Sequence, residues 1–313
     1  MANSFRKIDY RLRPAKAVER RMMSEAFLRL REFASLESYR YVGMGSVYFS
    51  DFSLFHSACG FETMISIEDI SDPTVQERFK FNRPLSTIDL LFKHSNIALT
   101  EISWDIRSVV WMDYDGSLDA SVLTDVRFLA SKISPGSSFS LSVNCDLQDH
   151  ESGDKSRFDI LSQKVGSDKI PHEIAAEKNI RPIDIPKIIR KIITNELTSA
   201  LSDRNSARPA GQKICAEQIF FFKYHDGAPM LTLGWVFFDE GQRQSFSKCG
   251  FDSLPFTRNL DDFFDIKIPL ITSAEIRELN RLHEEIESIP PAEREKHNAV
   301  KRYLPMSLIQ GIS

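Results

Sequence analysis

Four short apolar runs, each ending in a glycine or a polar tip, recur along the first half of this chain with helix-like stretches between them. That alternation restricts the fold more than any other feature. The runs are YVGMGS from Tyr41, TMISIED from Thr63, VVWMDYDG from Val109 and SFSLSVN from Ser138. Strands that alternate with helices at this spacing read as parallel strands joined by right-handed crossovers. Their C-terminal tips then open on a shared crevice.

The intervening segments follow the same logic. Asp51–Cys59 reads as a helix closed by Gly60, Thr74–Phe81 as a short helix before Pro84, and Asn96–Ile102 as a further strand. Leu118–Ile133 has helical spacing and stops at Pro135-Gly136. The polar stretch 146–170 reads as a loop or cap over the sheet edge, and Pro186–Leu201 as a helix. Ala216–Tyr224 and Met230–Phe238 flank His225-Asp226-Gly227, two apolar strands around a D-G turn and hence an antiparallel hairpin.

The expected fold is therefore an α/β Rossmann-like domain, a mostly parallel sheet closed by an antiparallel C-terminal hairpin, with helical extensions at both ends. The divisions are a basic helical extension over 1–37, the Rossmann-like domain over 38–240 with 146–212 as its cap, and a helical extension over 241–313. Pro14–Phe33 carries Val18, Met22, Ala26, Leu30 and Phe33 at helical spacing. Leu270–Ile289 opens with the capping box Thr272/Glu275 and lines Ile276, Leu279, Leu282 and Ile286 on one face. That face either packs back on the domain or meets a protein partner or a second copy of the chain.

Composition narrows the setting. The 313 residues are 42% hydrophobic and 27% charged with a net charge of −4, ordinary for a soluble chain with a sizeable core. Cys59, Cys145, Cys215 and Cys249 form no C-x-x-C pair, so neither a zinc site nor a disulfide framework is expected. No uncharged apolar stretch approaches the roughly 18 residues of a membrane span. The N-terminal segment is basic with no apolar run behind it, unlike a secretory signal. A cytoplasmic location is expected, with no membrane partner.

The tips carry the candidate chemistry. Gly43 and Gly45 let backbone approach a ligand, and the helix start after Ser46 attracts polar or anionic groups; a tight structural turn explains the same glycines. An acid at the tip of the next strand, Glu68 or Asp69, suits the hydroxyls of a ribose. Tyr48, Phe49 and Asp51 either contact the ligand or cap the following helix, with Asp51 as N-cap.

The series YVGMGS, TMISIED, VVWMDYDG and SFSLSVNCD, in that order, resembles the successive cofactor motifs of the S-adenosylmethionine-dependent methyltransferase superfamily. It is most similar in flavour to small-molecule O-methyltransferases and to O-methyltransferase-like bacterial proteins, and it covers about residues 38–240. The resemblance implies S-adenosylmethionine as cofactor. By it, Gly43, Gly45 and Ser46 face the methionine part, Glu68 with Asp69 the ribose, Glu101 or Ile102 the adenine, and Asp113 the sulfonium. Asp113 or Asp115 would serve as catalytic base. With Asn144 and Asp146 they could instead form an oxygen-ligand set for Mg2+.

Departures matter too. The family usually has an acid where this chain has Tyr41, which cannot supply that carboxylate. The third glycine of a dehydrogenase fingerprint is replaced by Tyr48, no phosphate-binding P-loop motif is present, and no base-flipping D/N-P-P-Y/F motif follows the fourth strand.

Arg6, Lys7, Arg11, Arg13, Lys16, Arg20 and Arg21 crowd the N-terminus with only Asp9 and Glu19 opposite. They either grip nucleic-acid phosphates, with Tyr10 to stack, or form a solvated helix face. Two functional classes follow. One is a methyltransferase acting on an oxygen or nitrogen acceptor. The other is a non-catalytic nucleotide- or nucleic-acid-binding subunit of a larger assembly, such as an antiviral system.

Overall fold

The computed structural model describes residues 13–148, 153–258, 260–282 and 286–310. Eight strands form one sheet: β1 Arg40–Gly43, β2 Thr63–Ile67, β3 Ile88–Leu91, β4 Ser108–Ser117, β5 Ser137–Asn144, β6 Ile214–His225, β7 Pro229–Asp239 and β8 Phe264–Ile266. Their order is β3-β2-β1-β4-β5-β7-β6-β8. Neighbours from β3 to β5 run parallel, and β7 enters antiparallel to both β5 and β6. The closing hairpin is the one expected from the D-G turn, and the fold class is the Rossmann-like α/β arrangement.

Each strand alternates its side chains between two apolar layers. Val42, Ile65, Val110 and Met112 face the layer shared with helices Ser95–Glu101, Ala120–Lys132 and Ile185–Asn205. Tyr41, Met64, Val109 and Trp111 face the layer shared with helices Pro14–Leu28 and Ser50–Cys59 and with C-terminal residues such as Ile276 and Val300. Burying a Leu, Ile or Phe side chain in such a layer is worth about 1.5–3 kcal/mol, so both helical coats hold the sheet.

The structure corrects several expectations. Asn96–Ile102 is not a strand; Ser95–Glu101 is a helix, and the third strand is Ile88–Leu91. The reason lies in the spacing. Ser95, Ala98, Leu99 and Ile102 are buried while Ile97 is exposed, a 3.6-residue period mistaken for an apolar run. β4 does not stop at Met112 but continues through Asp113-Tyr-Asp-Gly to Ser117. Within the supposed loop 146–170, Arg157–Val165 is a helix capped by Ser156.

At the C-terminus the capping box is present, Thr272 N–H donating to Glu275 and Glu275 N–H to Thr272. The helix is shorter than expected, Ser273–Leu282, and Ile286 lies outside it. Its Ile276 and Leu279 are buried within this chain, as the packing-back alternative expects. Among the described residues no helix is long and apolar enough to cross a membrane.

Candidate active site

Strand alternation decides which face carries the site. In register, Gly43 on β1 lies beside Ser66 on β2 and Trp111 on β4. Two-residue periodicity then aims Tyr41 and Gly43, Ser66 and Glu68, and Trp111 and Asp113 at the same side, under helices Pro14–Leu28 and Ser50–Cys59. Gly43 and Glu68 are thus brought together at adjacent strand tips, as the motifs implied.

The glycines are explained by close approach. A Cβ on Gly43 would stand 2.5 Å from the Tyr41 hydroxyl, and one on Gly45 would stand 2.5 Å from Ser66 Oγ and 2.6 Å from Glu68 Oε1. The Gly45 amide donates to Ser66 Oγ at 3.2 Å, and Ser66 donates to Glu68 Oε1 at 2.6 Å. The Glu68 amide donates to Leu91 O at 2.9 Å, tying the tip of β2 to β3. Burial pushes the Glu68 carboxyl well above its usual range, the Ser66 hydrogen bond opposing and Asp51 adding to the rise. In its protonated form Glu68 can both donate and accept toward a diol.

The loop is anchored at its far end by Phe49, fully buried with φ 47° in the left-handed region. A bulky residue there costs about 1–3 kcal/mol. Edge-on packing against Phe52 and Phe79, centroids 5.6 and 5.8 Å away, holds it in place. Phe49, not Asp51, is the N-cap residue of Ser50–Cys59.

Asp51 instead turns inward. The Tyr41 hydroxyl donates to Asp51 Oδ2 at 2.7 Å, and both residues are buried. Burial raises the Asp51 carboxyl while the Arg20 guanidinium draws it down. Burial, then Asp51, keep the Tyr41 phenol protonated and hence a standing donor. A buried carboxyl from the next helix thus lies against Tyr41, the position where the resembled motif carries an acid.

A second cluster sits around Asp113, where the regular pairing of β4 with β5 gives way to an irregularity. Lys16 Nζ lies 2.6 Å from Asp113 Oδ1, 2.9 Å from Glu19 Oε2 and 2.8 Å from the Tyr224 hydroxyl, with the Trp111 ring centroid 4.4 Å away. Lys16 is 2% exposed and Glu19 fully buried, whereas the Asp113 side chain is 18% exposed. Thr232 donates to Glu19, whose carboxyl is raised chiefly by burial. The Lys16 amide donates to Asp226 Oδ2 at 2.8 Å, fixing the helix start to the hairpin turn.

Lys16, Glu19 and Arg20 share the inward stripe of Pro14–Leu28. Lys16 and Arg20 are therefore buried rather than part of a solvated helix face. Arg6, Lys7, Tyr10 and Arg11 lie outside the described residues. No signal in helical spacing flagged these buried charges, although Lys16, Arg20 and Met23 do fall at i, i+4 and i+7.

Other expected residues do not join the site. Glu101 is the exposed last residue of the helix Ser95–Glu101 and pairs with Lys93 at 2.6 Å, and Ile102 belongs to the opposite apolar layer, so neither stands at a strand tip. Asp69 and Asp115 are exposed, Asp115 two residues beyond Asp113 along β4. Ser46 is half-buried, its Oγ accepting from the Tyr48 amide. The magnesium set does not assemble. Asp113 is taken by Lys16, Asn144 accepts from the Asp146 amide at 2.7 Å, and Asp146 accepts from the Gln148 amide. Among the described residues no three His, Cys, Asp or Glu side chains converge as metal ligands.

Comparison with known proteins gives one family. Residues 8–308 match the family described as "Putative O-methyltransferase", which takes in both terminal segments that the motif resemblance left out. No curated protein matches the chain. Among solved structures, a "putative hemolysin" from Lactococcus lactis is 10% identical, with a TM-score of 0.40 over 77% of this chain and 99% of that one. An rRNA methylase from Streptococcus thermophilus is 8% identical, with a TM-score of 0.35 over 69% and 95%. The O-methyltransferase TomG from Streptomyces achromogenes, in complex with SAM, is 11% identical, with a TM-score of 0.36 over 68% and 79%.

Proposed function

From the premise that this chain belongs to that O-methyltransferase family, we propose that it transfers a methyl group from S-adenosylmethionine to an oxygen nucleophile. The observation that carries the reading is the convergence, on one face of three adjacent strands, of the Gly43–Ser46 loop, Glu68 and Asp113. Ligands of open α/β sheets bind at such carboxyl-terminal edges.

The residues fit the cofactor on two counts: Gly45 keeps its side-chain space clear for Ser66 and Glu68 at the tip, and the buried Arg20 Nε has no hydrogen-bond partner among the described residues. Gly43, Gly45, Ser46 and Glu68 would hold it, with Asp69 at the exposed rim of the same tip. When bound, S-adenosylmethionine supplies a methyl group on a positively charged sulfur.

The remaining work falls to Asp113, the partly exposed carboxylate of the cluster, which accepts the proton of the acceptor hydroxyl. Lys16 orients that carboxylate and, lying between Asp113 and Glu19, keeps an anionic partner when Asp113 takes the proton. Asp115 stands at the mouth, where it meets the acceptor rather than the reacting atoms.

Isothermal titration with S-adenosylmethionine and with its demethylated product tests the proposal. One-to-one binding of both is expected. Absence of heat and of any thermal shift with both at millimolar concentration removes the cofactor and the reaction together.

A further inference from the structure

Arg20 is 7% exposed, and its Nε lacks any hydrogen-bond partner. Among the described residues its side chain makes no ion pair either. A guanidinium withdrawn from water without a partner is costly, and folded proteins bury charges paired or hydrogen-bonded. Its charge is nonetheless felt by three groups around the glycine loop: it draws Asp51, Tyr41 and Tyr224 toward their ionised forms. Arg20 follows Lys16 by one turn on the buried stripe of Pro14–Leu28, and Lys16 Nζ contacts Asp113 and Tyr224, which puts the guanidinium on the side of the sheet that carries the glycine loop.

Asp51 is the complement. It is 5% exposed, accepts from the Tyr41 hydroxyl at 2.7 Å, and keeps further lone pairs for another donor. Beneath both residues Gly43 has only backbone, its side-chain space filled by Tyr41. One guanidinium and one carboxyl, both buried and with no ion pair between them among the described residues, lie on the same side of the sheet beside the glycine loop. That pattern is complementary to an α-amino-acid group, whose carboxylate seeks a guanidinium fork and whose ammonium seeks a carboxylate.

We infer that Arg20, carried in by the N-terminal helix, and Asp51, held by Tyr41, form the subsite that grips the amino-acid end of the cofactor. The inference rests on the cofactor reading above. It adds that the N-terminal helix is part of the binding site rather than an appendage, and that recognition of the amino-acid end is separable from recognition of the nucleoside end at Glu68.

The test uses the whole chain and two probes measured by isothermal titration: S-adenosylhomocysteine, which has the amino-acid end, and 5′-methylthioadenosine, which lacks it. Arg20→Gln is expected to weaken S-adenosylhomocysteine by about tenfold or more, the scale of a lost charge-assisted hydrogen bond, and to leave 5′-methylthioadenosine unchanged. Asp51→Asn should show the same selectivity. Arg20→Lys, which keeps the charge, should restore part of the loss and guards against a Gln variant that fails to fold.

Wild-type binding of both probes with Arg20→Gln indifferent to S-adenosylhomocysteine, or weakened equally toward both, overturns the subsite alone. Wild-type binding of neither probe overturns the cofactor reading and the subsite with it.

Discussion

Lys16 Nζ stands 2.6 Å from Asp113 Oδ1, joining the first described helix to the fourth strand across 97 residues of sequence. The same ammonium is 2.9 Å from Glu19. Removing the cation leaves two carboxylates facing each other in a site with little water. Deleting one member of a buried pair costs about 3–5 kcal/mol. Lys16→Met should therefore lower the urea-unfolding free energy toward the lower end of that range, since Glu19 can escape by protonation. Lys16→Met with Asp113→Asn should recover a substantial part, and a double variant no better than the single would break the argument.

Asp113 and Asp115 are two residues apart on one strand but differ in surroundings. A positioned general base contributes about 10²–10⁴-fold, so Asp113→Asn should lower kcat on an identified acceptor by about a hundredfold or more. S-adenosylhomocysteine binding should survive that change. Asp115→Asn should alter KM before kcat. Equal losses of kcat in both variants would remove Asp113 from its assigned role.

Glu68 makes a pH prediction whose sign follows from burial. Its folded carboxyl titrates well above its usual range, whereas unfolded glutamate titrates near 4.3. The stability from the neutral form is complete below about pH 4.3 and is lost as pH rises through the folded value. Glu68→Gln cannot ionise. Its melting temperature, measured against the wild type from pH 5 to pH 8, should gain steadily with pH. Parallel profiles would show that Glu68 ionises normally.

Gly45 and Gly116 form a matched pair of tests. An alanine methyl at Gly45 meets both Ser66 Oγ and Glu68 Oε1, while one at Gly116 meets nothing within 4 Å. Overpacking costs about 1–3 kcal/mol, so Gly45→Ala should lower the melting temperature and weaken S-adenosylhomocysteine. Gly116→Ala should stay within about 0.5 kcal/mol of the parent. Thermal melts of the two variants, side by side, decide this.

Strand and hairpin placement was legible in the sequence because buried parallel strands are continuous apolar runs and D-G turns are strong local signals. β3 was not, since Ile88–Leu91 is only four residues long and the following helix hides its period in an apolar-looking stretch. Around the loop, Gly43, Gly45 and Glu68 lie at the strand tips read from the sequence, whereas the strand of Asp113 runs on to Ser117. Asp51, Lys16 and Arg20 could not be assigned, because their roles depend on which way a helix is turned against the sheet. Tyr41 looked like a lost function from the linear motif. In space its hydroxyl donates to the buried Asp51.

The hydrogen bond from the Lys16 amide to Asp226 closes a separation of 210 residues. During synthesis the first helix leaves the ribosome long before the hairpin that receives it exists. Lys16, Glu19 and Arg20 must wait, with their charges hydrated, until β6 and β7 have paired, and only then give up that water. Seating of Pro14–Leu28 against the hairpin is therefore a late, long-range event. A chain stopped short of residue 226 would carry the glycine loop and Glu68 yet lack the hairpin that seats the N-terminal helix over them.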